Sequence, residues 1–338
     1  MLLLCACLLT GCVANESPPA ATQTPTQASS AAPEMKTGVG FYFDTVVQVT
    51  LYGPEDGLLE EIWAACERYE KLLSRTIEGS DVSRINAAKG QTITVDPETW
   101  DILSRAKEIS RLTGGAFSVT IAPLSLQWDF TDGTNRMPTD EERLAALPLV
   151  DDEKILLGEG NTVTLPEGMA IDLGGIAKGY IADQVAALVK DRVTGALLNF
   201  GGNVYAVGHK LDGSDYGLGI QDPNSATGQA LAAVRGTDIS LVTSGIYERY
   251  FMVDGVRYHH ILDPKNGLPS NSDLASATIL HTSSMDADAF ATACIVLGRE
   301  EAEKLLGSLG LDGVLITRDG QISTTQDFDS RYTLYMVE

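Results

Sequence analysis

Apolar residues along this chain recur at two spacings, and the switches between them outline its elements. From Phe41 to Leu51 the β-branched and aromatic content predicts a strand. From about Asp56 to Leu73 the apolar positions Leu58, Leu59, Ile62, Cys66, Tyr69, Leu72 and Leu73 follow the helical period. A second helix is predicted over Glu98–Leu112, stopped by Gly114-Gly115. Thr139 with Glu142 three residues on forms a capping box, opening a short helix through Leu147. Residues 154–172 read as short strands separated by Gly and Pro, and Ile176–Lys190 as a helix after Gly174-Gly175. Residues 196–282 alternate short β-prone runs with Gly, Asp and Pro turns. Ser283–Leu297, ended by Gly298, and Glu300–Leu309 read as helices, and strands return near 314–317 and 331–337. Helices and strands mix without a regular βαβ rhythm, and many strand links are short enough for hairpins. The expected fold is therefore α+β, with antiparallel-rich sheets and packed helices.

Composition narrows the partners. Lys and Arg number 24 against 46 Asp and Glu in 338 residues, a formal net charge of −22. A surface this negative repels phosphate backbones, which argues against nucleic acid as a partner. Cys5, Cys7 and Cys12 crowd the start in no disulfide or zinc spacing, while Cys66 and Cys294 lie in apolar helical patterns as small buried hydrophobes. Leu2 to Leu9 form a short apolar stretch before Leu9-Thr10-Gly11-Cys12, too short to span a bilayer and read as an export signal. The tetrapeptide resembles a bacterial lipobox, so residues 1–12 are expected to be a lipoprotein signal with Cys12 the acylated residue. No Lys or Arg precedes Lys36, which leaves the amino terminus as the leader's positive charge. Residues 13–37, rich in Ala, Pro, Thr, Ser and Gln, are expected to be a disordered tether. Residues 38–338 would form the globular domain, as two intimately packed subdomains, held by lipid on the extracytoplasmic face of a bacterial membrane.

Familiar nucleotide and protease motifs are missing: the chain has no G-x-x-x-x-G-K-[ST], no H-E-x-x-H and no G-x-S-x-G. With His209, His259, His260 and His281 its entire histidine set, a multi-histidine metal site is not expected. Four other segments stand out. In Ile171-Asp172-Leu173-Gly174-Gly175-Ile176-Ala177-Lys178-Gly179-Tyr180 a strand ends at an acid, glycines permit close backbone approach and a helix starts with free amides. That suits an anion, or a cation facing the turn carbonyls; a plain strand-to-helix turn capped by Asp172 would look the same. In Asp286-Ala287-Asp288-Ala289-Phe290-Ala291-Thr292, Asp288 and Thr292 are four apart and share a helical face, offering hard oxygens of the kind Mg²⁺ accepts. First-turn acids also simply complement a helix dipole. Thr243-Ser244-Gly245-Ile246-Tyr247-Glu248-Arg249-Tyr250 precedes Arg257-Tyr258-His259-His260-Ile261-Leu262-Asp263-Pro264-Lys265-Asn266-Gly267-Leu268-Pro269, whose Asp-Pro-x-x-Gly-x-Pro fixes an irregular loop able to reach a ligand. Gly114-Gly115-Ala116-Phe117-Ser118-Val119-Thr120-Ile121-Ala122-Pro123-Leu124, with Trp128 after it, alone reads as a helix stop, a turn and a core segment.

In this order and spacing, together with Leu72-Leu73-Ser74-Arg75, Ser80-Asp81-Val82-Ser83-Arg84-Ile85-Asn86 and Asn199-Phe200-Gly201-Gly202-Asn203, these segments resemble the ApbE family of FAD:protein FMN transferases. The resemblance implies an enzyme that binds FAD with Mg²⁺ and transfers FMN to a Thr or Ser hydroxyl of an acceptor flavoprotein, releasing AMP. It places Mg²⁺ on the side chains of Asp288 and Thr292 and the carbonyls of Gly175 and Ala291. It places FAD against Phe43, Thr76, Ala116, Phe117, Ser118, Asp172, Lys178 and Leu262. Where the family commonly has an acid after Gly-Ala-Phe, this chain has Ser118, a hydroxyl without charge. By the same analogy the acceptor is an FMN-carrying domain of a membrane redox complex or an exported reductase.

The expected chemistry is metal-assisted phosphoryl transfer, with the acceptor hydroxyl attacking the FMN phosphorus in line. His260 is the candidate base, because imidazole titrates near neutrality, and Asp263 either acts itself or orients the loop. The same site with water in place of the hydroxyl would be an FAD pyrophosphatase. A flavin- or solute-binding lipoprotein without catalysis is the alternative of a different class, and it would not need the Asp288/Thr292 pair.

Overall fold

The structure is a computed structural model that describes residues 34–130, 133–225 and 228–337. The expected signal, Cys12 and the tether up to residue 33 lie outside the described residues. Residues 35–37, expected at the end of that tether, instead begin strand β1 (Met35–Tyr42). The single strand expected over 41–51 is a hairpin of β1 with β2 (Thr45–Tyr52), in register from Met35↔Tyr52 to Tyr42↔Thr45. Phe43 and Asp44 form its turn at φ 57 and 55. That left-handed pair is what a tight hairpin demands, but Phe at the first position hides it from a search for Asn-Gly or Asp-Gly. Glu70 fixes the strained residue by accepting the Phe43 N–H at 2.7 Å.

The helices follow the apolar period closely: α1 (Leu58–Leu73), a short α2 (Asp81–Ala87) not foreseen, and α3 (Pro97–Leu112) after the two-residue strand β3 (Ile93–Thr94). Ser80 starts α2 by accepting the Ser83 N–H. Next come α4 (Ala122–Ser125) and α5 (Asp140–Ala146), which has the expected Thr139–Glu142 capping box. Strands β4 (Leu156–Gly158) and β5 (Thr162–Thr164) join β3 in a small sheet, and α6 (Ala177–Val189) follows. Strands β6 (Gly195–Phe200), β7 (Asn203–Gly208), β8 (Tyr216–Gln221), β9 (Ala230–Gly236) and β10 (Ile239–Gly245) come in succession. The hairpin β11 (Tyr250–Val253) and β12 (Val256–His259) leads to β13 (Leu274–His281), α7 (Ser284–Leu297) and α8 (Arg299–Leu309). The chain closes with β14 (Asp312–Thr317), β15 (Ile322–Thr324), α9 (Phe328–Arg331) and β16 (Leu334–Met336).

The main sheet has the order β1-β2-β6-β7-β10-β13-β14-β15, with every neighbouring pair antiparallel. Its strands alternate between two cores, as a period of two dictates. Val47, Val49, Leu198, Phe200, Val242 and Ile279 face a helical layer, while Leu241, Leu280, Val314 and Ile316 join Tyr216, Leu218 and Phe328 on the other side. There β8, β9 and β16 form a three-stranded cover. The helical layer centres on α7, which lies against β10, β13 and α6. Seven of its apolar side chains, from Ala287 to Ile295, are at most 2 % exposed, so α7 is buried all round. The α+β expectation, with antiparallel-rich sheets, holds.

Candidate active site

A helix buried on every side cannot carry an acid without a partner, and α7 carries Asp286 and Asp288. The structure separates them. Asp286 is taken by Arg105 of α3, whose Nε and Nη2 donate to its two oxygens at 2.8 and 2.5 Å. Asp288, 2 % exposed, turns to α6: its Oδ2 accepts the Gly179 N–H at 3.1 Å, and its Oδ1 lies 3.5 Å from Lys178 Nζ. The helices meet this closely because residue 179 is Gly; a Cβ there would sit 2.2 Å from the Ser284 carbonyl oxygen. Asp183 of α6 completes the junction by accepting the N–H groups of Ser284 and Met285, at 2.6 and 3.0 Å, at the start of α7. Burial pushes its carboxyl up to about 6.

One turn beyond Asp288, Thr292 points the same way. Its Oγ1 is 3.3 Å from Ser244 Oγ at the end of β10 and 3.5 Å from where a Gly175 Cβ would stand. Asp288, Thr292, Gly175 and Lys178, predicted from two distant stretches of sequence, therefore converge. Lys178 also donates to the Gly174 carbonyl at 3.1 Å. The donors gathered here are one carboxylate, hydroxyls and nearby main-chain carbonyls, a set of hard oxygens that fits a cation such as Mg²⁺, which keeps positions for water and phosphate. Among the described residues no group of three or more His, Cys, Asp or Glu could hold a metal ion, so a cation here would rely on hydroxyl and main-chain oxygens beside the one carboxylate.

The Asp172 turn borders this centre. Asp172 does not cap α6; its Oδ1 accepts the Gly174 N–H at 2.8 Å and its Oδ2 pairs with Arg75 Nε at 3.0 Å. The Leu72-Leu73-Ser74-Arg75 motif gives no sequence signal for this role of Arg75. The neighbouring loop places Phe117 against Gly175, with Cε2 3.3 Å from the position of a Cβ. Ala116 and Phe117 are buried, at 2 and 3 %. The Ser118 hydroxyl, expected to face a ligand, is engaged internally: Ser118 Oγ is 2.6 Å from Asp152 Oδ1 and 2.9 Å from Thr120 Oγ1. Thr76 is exposed and bonded to Ser74, and Phe43 sits half-buried at its turn.

On the remaining side the β1–β2 turn, the Gly201-Gly202 turn and the loop after β12 come together. Arg249 Nη2 donates to the Asp44 carbonyl at 3.2 Å, and a Cβ on Gly201, whose φ is 61, would lie 2.1 Å from Thr45 Oγ1. His260 Nδ1 lies 3.3 Å from the Arg249 carbonyl. A carbonyl can only accept, so this contact puts the proton on Nδ1 and leaves the Nε2 lone pair free. Burial, then Arg249, His259 and Lys178, push the ring down to about 3, so it is neutral at pH 7. Glu248 keeps solvent access yet is crowded by protein on its other sides. That crowding raises its carboxyl to about 7, with Lys178 pulling it down and Asp288 pushing it up. Glu248 lies in the Thr243–Tyr250 segment that stands out in the sequence, but no spacing there gives it a role.

Asp263 is spent on its own loop. Its Oδ1 accepts the Lys265 N–H at 2.9 Å and its Oδ2 accepts from Asn266 Nδ2 at 2.7 Å, which fits orientation of the loop. Leu262, 5 % exposed, packs with Leu124, Trp128, Ala146 and Phe251, forming wall rather than open surface. Cys66 and Cys294 are buried free thiols, pushed up to about 12 by burial.

A family model described as the ApbE family matches residues 43–315. The chain belongs to the ApbE family. A relative from Treponema pallidum (strain Nichols), named FAD:protein FMN transferase, is 34% identical over 301 residues, covering 82% of this chain and 83% of that protein. A Klebsiella pneumoniae (strain 342) protein of the same name is 34% identical over 82% of this chain and 87% of its own length. The crystal structure of the ApbE protein from Thermotoga maritima superposes with a TM-score of 0.82 at 30% identity, covering 90% of this chain and 100% of that one. The flavin transferase ApbE from Vibrio cholerae gives 0.80 at 28% identity, over 88% and 99%. The arrangement described above is thus the ApbE fold.

Proposed function

We propose that this chain transfers FMN from FAD to a Thr or Ser hydroxyl of an acceptor flavoprotein, releasing AMP. The observation that carries the reading is the convergence of Asp288 and Thr292 of α7 with Gly175 and Lys178 of the α6 entrance, in a chain whose relatives bear that name. In the transfer, the acceptor oxygen forms a bond to the FMN phosphorus as the phosphoanhydride bond to AMP breaks, and the hydroxyl proton passes to a base. Asp288 and Thr292, with the carbonyls of Gly175 and Ala291, would hold Mg²⁺, which when bound neutralises charge on the pyrophosphate. Lys178 offers a cation to the same phosphates. Asp172, Arg75 and the Ala116–Ser118 loop shape the wall for the nucleotide, with half-buried Phe43 adding apolar surface and buried Leu262 backing it. His260, whose Nε2 lone pair is free, would accept the hydroxyl proton.

Mass spectrometry of an acceptor carrying the Thr or Ser, after incubation with enzyme, FAD and Mg²⁺, tests the reading. A covalent FMN adduct with release of AMP supports it. AMP and free FMN without an adduct would make the protein a pyrophosphatase, and unchanged FAD would make it a binding protein. We place the domain on the extracytoplasmic face, anchored through acylated Cys12; labelling with palmitate that persists in Cys12→Ser would overturn that anchor.

A further inference from the structure

Asp152 belongs to none of the motifs that pointed to the site. It opens a short turn after α5, and its side chain is buried, 4 % of the residue remaining exposed. Four donors from three successive residues converge on its carboxylate. Oδ1 accepts from Ser118 Oγ at 2.6 Å, from the Thr120 N–H at 3.0 Å and from Thr120 Oγ1 at 2.6 Å. Oδ2 accepts the Val119 N–H at 3.1 Å. An ionised carboxylate is acceptor-only and suits such a ring, whereas an amide would turn an NH₂ toward these donors. The loop so held reaches further: the Val119 carbonyl accepts the Asp172 N–H at 2.8 Å, and Phe117 lies against Gly175.

We propose that Asp152 is a positioning residue for FAD, fixing the Ala116–Thr120 loop and through it the Asp172 turn in the geometry that receives the nucleotide. The assignment rests on the reading that these two loops contact FAD. Asp81 supplies a matched control. It is equally buried, and it accepts the Asp96 N–H at 2.7 Å, Thr99 Oγ1 at 2.9 Å and Arg84 Nη1 at 2.7 Å, tying α2 to α3 with no hydrogen bond of its own to the loops of the site.

The experiment is a fluorescence titration of the full chain with FAD and Mg²⁺, alongside steady-state transfer kinetics and thermal melts, for Asp152→Asn and Asp81→Asn. Both variants are expected to melt lower. Asp152→Asn is expected to raise the Kd for FAD about tenfold or more, equivalent to ~1.4 kcal/mol. KM for FAD should rise with it while kcat at saturating FAD changes far less; Asp81→Asn should leave Kd where it was. Equal shifts in the two variants, or an unchanged Kd in Asp152→Asn, overturn the assignment. Should Asp152→Asn fail to fold, Ser118→Ala and Thr120→Val each remove donors singly, and an unchanged Kd in both overturns it. Wild-type protein that binds no FAD overturns the functional reading as well, whereas wild type that binds FAD and is matched by Asp152→Asn overturns the role of Asp152 alone.

Discussion

The α6–α7 junction and the loop after β12 border the same site and are built by opposite rules. In the junction each acid is answered: Asp286 by Arg105, Asp183 by the first amides of α7, Asp288 by Gly179 and Lys178. Beside the loop, Glu248 has no hydrogen bond or ion pair among the described residues, and His260 uses one ring nitrogen and leaves the other free. Buried charge in the junction is preorganised, so it serves a ligand that is always the same. Unanswered groups near the loop suit a second substrate that arrives as a protein and supplies the missing partner. The contrast fits a flavin transferase, which takes its group from a nucleotide and delivers it to a protein.

The most severe way to break the comparison is within α7 itself. Asp288→Ala should cost about 10²–10³-fold or more in FMN transfer, the scale of losing a charge-stabilising group, with a modest change in melting temperature. Asp286→Ala should do the reverse, losing about 1.5–3 kcal/mol of stability as its charge-assisted bonds to Arg105 go and leave Arg105 with Glu108 alone. Transfer assays and chemical denaturation on the pair decide it; equal losses of activity would erase the distinction between the two acids. Next in size, Gly179→Ala pushes a methyl onto the Ser284 carbonyl, and since backbone cannot swing aside it should cost about 3 kcal/mol, at the high end for overpacking, and separate Lys178 from Asp288. A variant with unchanged melting and activity would mean that the helices are not locked at this contact.

Much of the junction was legible from residues alone, because helical spacing put Asp288 and Thr292 on one face and the Gly174-Gly175 turn announced a helix start. What stayed hidden was which acid was structural. That depends on Arg105, 181 positions away from Asp286, and no local pattern encodes so distant a pairing. The β1–β2 hairpin was read as one strand because Phe43 holds a left-handed turn position that local preference would give to Asn, Asp or Gly. Ser118 looked like a ligand group for the same reason that Asp152 went unnoticed: the hydrogen bond joining them spans 34 positions. Cysteine burial and the Thr139 capping box needed no such long-range information and were read directly.

On the loop side, His260→Ala should slow transfer about 10²–10⁴-fold if the ring takes the hydroxyl proton, while FAD binding persists. Asp263→Ala frees the Lys265 and Asn266 groups and should act through loop disorder, with a smaller loss that rises with temperature. Single-turnover transfer at several temperatures separates the two. A larger loss in Asp263→Ala than in His260→Ala would shift the proton acceptor from the ring to the carboxylate.

The smallest effect concerns how crowded titratable groups of both regions report their surroundings through pH. Burial above all holds His259 down to about 4 and His260 to about 3, against 6.5 in an unfolded chain. As pH falls from 6.5 toward 4 the unfolded state takes up protons the folded state declines, so their contribution to stability is lost on acidification. Glu248, raised to about 7 from 4.5, and Asp183, raised to about 6 from 3.8, act in the opposite sense: the folded state keeps their protons, and that contribution is lost as pH rises. Between pH 4.5 and 6 the two sets oppose each other, and the melting temperature should vary little. Glu248→Gln removes one opposing proton, so its melting temperature should fall on acidification across that window, measurably more than wild type. His259→Gln should tilt the profile the other way. A Glu248→Gln profile as flat as wild type would mean that this carboxylate titrates as it would in water, and the loop side of the site would then be open solvent rather than a pocket waiting for a partner.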